Sequence, residues 1–65
     1  MELTPTLAQR IEHQIDAAIF SLEAIPERTA GQPEYAQQNI TRRQTLDAYR
    51  YVEFAHWLLI RETQP

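Results

Sequence analysis

Residues 25–34 read Ile25-Pro26-Glu27-Arg28-Thr29-Ala30-Gly31-Gln32-Pro33-Glu34, and the fold turns on how they are read. Pro26 has no N–H to carry a helical ladder onward, so a helix arriving from the N-terminal side is expected to end after Ile25. Gly31 is the only glycine in the chain and marks a turn. Pro33-Glu34 suits the first turn of a new helix, where proline's fixed φ is already helical and its missing donor costs nothing. The stretch therefore predicts two helices joined by a loop over about residues 26–33, an all-α antiparallel helical hairpin making up one domain, residues 1–65.

Toward the N-terminus, Thr4 as N-cap and Pro5 at the first helical position predict a helix over about residues 5–25. Ala8, Ile11, Ile15, Ala18, Leu22 and Ile25 recur at helical spacing and form a one-sided seam, widened by Leu7 and Ile19. Gln9, Glu12, His13, Asp16 and Glu23 take the other side. Phe20 breaks the pattern, projecting almost opposite the seam between Ala17 and Ala24.

Toward the C-terminus no glycine or proline follows Pro33 until Pro65, which predicts one helix over about residues 34–62. A break near residues 39–41 is the alternative, because Thr41-Arg42-Arg43-Gln44 matches a capping box. A turn centred near Pro33 would set Ile11 opposite Ala55, Ala18 opposite Ala48 and Leu7 opposite Leu59, with helices of equal length if the second began at Thr41. A continuous second helix outruns the first by about 8 residues, or about 12 Å.

That second helix carries three apolar stripes: Ala48, Val52, Ala55 and Leu59; then Ala36, Ile40, Tyr51, Phe54 and Leu58; then Leu46, Tyr49, Trp57 and Ile60. One partner helix covers one stripe and part of another, and a helix that is apolar all round belongs in a buried setting. A chain of 65 residues buries only about 60% of its unfolded surface and has no cysteine for a disulfide staple. Self-association into a homodimeric four-helix bundle is therefore expected, with Tyr51, Val52, Phe54, Leu58 and Leu59 in the oligomer core.

Candidate chemistry is sparse. Ser21 is the only serine, and His13 and His56 are the only imidazoles, so no catalytic residue, metal site or cofactor is expected. The N-terminal residues lack a basic and then apolar signal pattern, and Phe54–Ile60, seven residues long, falls far short of a membrane span. A cytoplasmic protein away from the membrane is expected. Every basic residue is an arginine and the formal charge is −3, which disfavours nucleic acid through overall electrostatics. Asn39-Ile40-Thr41 is read as a chance sequon.

The features left over are Phe20, an aromatic flanked by small alanines, and a sector of the second helix holding Arg43, Arg50, Arg61 and Trp57 with Arg42 nearby. Phe20 and Trp57 have the look of binding hot spots. Arginines interleaved with an indole could hold phosphates while the ring stacks on a base. Asp47, four after Arg43 and three before Arg50, could instead close a local ion network with both and fix the register of a helical interface.

In architecture this pattern resembles the plasmid RNA-binding hairpin dimers of the Rop type. The run Arg42-x-x-Thr45-Leu46, then Glu53-x-x-x-Trp57 and Ile60-Arg61, is also similar to the last helix of phage hairpin proteins that sequester cyclic oligonucleotide signals or inhibit quorum sensing. The resemblance implies a small regulator encoded by a phage or mobile element and transfers no site residue. The expected function is a non-enzymatic module that binds and modulates or inhibits another protein through Phe20, Trp57, Arg42, Arg43 and Arg50. The alternative is a nucleotide- or RNA-binding regulator using Arg42, Arg43, Arg50 and Trp57.

Overall fold

The computed structural model describes residues 6–63. It is an all-helical hairpin of α1 (Leu7–Glu23), a single turn α2 (Ile25–Thr29) and α3 (Glu34–Thr63). Helix α1 packs along α3, and α2 continues onto the early part of α3. Thr4 and Pro5 lie outside the described residues. The N-cap is Thr6, in extended backbone: its Oγ1 accepts from the Gln9 N–H at 3.2 Å while the Gln9 Oε1 accepts from the Thr6 N–H at 2.9 Å. This reciprocal pair satisfies two of the donors that a helix start leaves open.

The expected loop is shorter than the sequence suggested, because residues 25–29 are helical. Pro26 does interrupt α1, whose ladder closes with the Ala24 N–H on the Phe20 carbonyl at 3.1 Å. The same ring then starts α2, since a proline at the first or second position is favourable for initiation. Thr29 Oγ1 donates to the Ile25 carbonyl at 2.7 Å and terminates the turn. Gly31 follows at φ 74°, the left-handed region that glycine enters without a Cβ penalty. Helix α3 runs unbroken from Glu34 for 30 residues, against 17 in α1 and 5 in α2, and no second start occurs at Thr41.

The seam is also rotated from its expected place. On α1 the residues that lose solvent are Leu7, Ile11, Gln14, Ile15, Ala17, Ala18 and Ser21, followed by Ile25 in α2. The seam runs through Gln14 and Ser21 and keeps Ile11, Ala18 and Ile25 of the apolar stripe, with Ile15 half-buried at its edge. Ala8 and Leu22 are exposed instead. On α3 the buried residues are Gln44, Ala48, Ala55 and Leu58, drawn from between the first and second stripes. Gln44 explains the rotation: its Nε2 donates to the Ser21 carbonyl at 2.8 Å, an oxygen that the interrupted ladder leaves without its Ile25 partner. At the other end Arg10 and Glu62 form an exposed ion pair at 3.6 Å.

This core is thin. Three of its four buried apolar residues are alanines, which let the helices approach closely but bury little area. The molecule measures 49 × 28 × 11 Å with a radius of gyration of 15.5 Å, against about 11 Å for a compact chain of this length. It is a slab one helix thick.

Candidate interaction face

Two helices side by side leave two broad faces, and heptad geometry assigns residues to them. In an antiparallel pair, positions one past the seam on each helix fall on the same side, and positions one before it fall on the other. The side preceding the seam carries Arg10, Ala17 and Ala24 of α1 with Asp47, Phe54 and Arg61 of α3. Just beyond these, on the same side, come Phe20 from α1 and Arg43, Arg50 and Trp57 from α3. All six partner-facing and ion-network candidates except Arg42 therefore share one broad face; Arg42 sits further round the back of α3.

Phe20 is 72% exposed and Trp57 56%, so neither ring is used in the hairpin itself. Phe20 lines a surface groove with Glu23, Ala24 and Glu27, the small Ala24 giving a partner side chain access to the ring. A second groove runs along α3, lined by Asn39, Arg42, Arg43, Leu46, Asp47 and Arg50. The three arginines singled out from the sequence thus meet in one concavity. Trp57 follows Arg50 by two turns on the same line of α3, about 10 Å farther along, and does not line the groove.

Asp47 is half-buried between the two arginines, but the ion pair found among the described residues is that of Arg10 and Glu62. The Arg43–Asp47–Arg50 network does not close to 4 Å, and both arginines line the groove. Of the expected oligomer core, Leu58 is 6% exposed and is already taken up inside the hairpin. Tyr51, Val52, Phe54 and Leu59 remain exposed, Val52 and Leu59 on one broad face and Phe54 on the other. Gln44 was missed as a site residue; its signal was a lone amide on an otherwise apolar face of the second helix.

No helix among the described residues is long and apolar enough to cross a membrane, and no three His, Asp or Glu side chains there come together. Comparison with models of protein families, with curated proteins and with solved structures finds no match to this chain.

Proposed function

We propose that this chain is a non-enzymatic interaction protein of the cytoplasm, encoded by a phage or mobile element, that self-associates and binds another protein so as to modulate or inhibit it. The observation that carries this reading is the quantity of large apolar side chains left in water. Ile19, Phe20, Leu22, Tyr35, Leu46, Tyr49, Tyr51, Val52, Phe54, Trp57 and Leu59 are all exposed. Isolated surface hydrophobics are ordinary, but clustering on so small a slab marks surface meant to be covered. Phe20, beside Ala24, Glu23 and Glu27, supplies an aromatic anchor with charged neighbours, the composition of an interface hot spot.

A second reading, a binder of RNA or cyclic nucleotides, is favoured by one observation: Arg42, Arg43 and Arg50 converge on a single groove without a closed ion pair to Asp47. Salt separates the two. Phosphate contacts weaken steeply as salt rises, whereas an apolar interface hardly responds. Affinity capture with the immobilised chain at low and high salt is expected to retain a protein at both, and to lose it with Phe20→Ala. Release of nucleic acid by salt, together with loss of binding in an Arg43→Ala/Arg50→Ala double variant, would establish the second reading instead. Retention of every bound partner by both variants would remove both site assignments.

A further inference from the structure

We infer that two copies of the chain associate through the broad face carrying Ile15, Ile19 and Leu22 of α1 with Thr45, Val52 and Leu59 of α3, leaving the Phe20 and arginine face outward. The inference rests on the reading that the hairpin self-associates, and adds which face is used. Ile15, Leu22, Thr45, Val52 and Leu59 each stand one position past the seam, so they lie on one side of the antiparallel pair. Ile19 adjoins them one turn from Ile15 and Leu22. Ile15 is half-buried and the other five are exposed.

Charge selects this face for a second copy. A two-fold interface sets a surface against itself, so any net charge on it meets the same charge. The six residues include no charged side chain, and Glu12 and Arg42, which share the heptad position of Ile19 on their helices, are of opposite sign. The opposite face holds Arg10, Arg43, Arg50 and Arg61 against Asp47 and Glu27, an excess of positive charge that would repel its own copy while remaining fit for a partner of different charge.

Area supports the same occupant. The chain exposes 5680 Å², whereas a compact monomer of 7.6 kDa exposes about 4,300 Å². The surplus, about 1,400 Å², falls within the roughly 1,000–2,500 Å² that each partner of an obligate dimer buries. A slab 49 by 28 Å offers on the order of 1,000 Å² on one broad face. Stacking two such slabs gives a four-helix layer pair in which the apolar stripe of α1, rotated out of the hairpin seam by Gln44, becomes the central core.

The test is sedimentation velocity of the full chain at micromolar concentration, with Val52→Glu and Trp57→Glu alongside. The wild type and Trp57→Glu are expected to sediment as dimers. Val52→Glu is expected to be monomeric, its unpaired buried charge raising the dimer dissociation constant at least about a hundredfold. Because that variant can also lose structure, thiol labelling provides a second measurement in a chain with no cysteine of its own. Maleimide should modify the Ile19→Cys variant about tenfold more slowly than the Leu46→Cys variant, with the protection fading on dilution. Dimers in every case, with Ile19→Cys labelled as fast as Leu46→Cys, would overturn the face and keep self-association. A cooperatively folded wild-type monomer would overturn self-association and the face together.

Discussion

Removing the Gln44 side-chain amide tests the most specific contact in the hairpin. Gln44 is 7% exposed and its Nε2 is the donor that reaches the Ser21 carbonyl across the seam, at 2.8 Å. Deleting a donor and leaving a buried acceptor unpaired costs about 1–3 kcal/mol. Ser21 is half-buried, so water recovers part of this, and the lower end, about 1–2 kcal/mol, is expected. For a domain of this size that lowers Tm by about 5–15 °C. Gln44→Leu is the informative variant because it keeps most of the volume and isolates the hydrogen bond from packing. Thermal melts followed by circular dichroism, at one fixed protomer concentration, give the shift without confusion from association. Gln44→Glu adds a pH arm. Its carboxylate has no proton to donate and faces a carbonyl oxygen, so the folded state holds the proton and the folded pKa rises above the unfolded value of about 4.3. Relative to wild type at the same pH, that variant should be most stable below the unfolded pKa of about 4.3 and lose stability as pH rises from there through the higher folded pKa. If Gln44→Leu melts at or above wild type, the amide does not hold this joint and the account of the rotated seam fails.

Three further outcomes follow from local geometry. Thr6→Ala removes one half of the cap at the start of α1 and should cost about 1 kcal/mol in the same melts, with Thr6→Ser close to wild type. Gly31→Ala should cost about 1–2 kcal/mol from the backbone alone, since a Cβ there meets nothing within 4 Å; a D-alanine at the same position, introduced by chemical synthesis, should remove that penalty. The exposed pair Arg10 and Glu62 should contribute about 0–1 kcal/mol, so a double-mutant cycle that returned a larger, salt-insensitive coupling would show the pair to be desolvated in the assembly.

The hairpin and its helix periods were legible from the spacing of apolar residues, because period and punctuation are local properties. The seam's direction was not. The stripes through Ile15 and Leu22 and through Gln14 and Ser21 both recur at three and four, and the choice between them depends on an amide on the other helix. Pro26 misled for a related reason: the ring that ends one ladder also begins another, and only the packing of α2 on α3 decides which effect is used. Of the candidate site, Arg43, Arg50 and Arg61 were visible as one angular sector with Arg42 a short way round, and the groove that Arg42, Arg43 and Arg50 line was not. The separation of Val52 and Leu59 from Phe54 was hidden until the seam was fixed, since a residue's flank is defined only relative to it.

A slab 11 Å thick has a further consequence for how such a chain can change over generations. In a larger domain, positions that maintain the fold and positions that meet a partner are mostly different, so recognition can drift while the interior stays put. Here nearly every large side chain reaches the surface, and the interior consists of three alanines, one leucine and one amide. A substitution that retunes binding therefore tends also to alter what holds the helices together. Specificity and foldedness are selected at the same positions, which favours compensating pairs of changes over single ones.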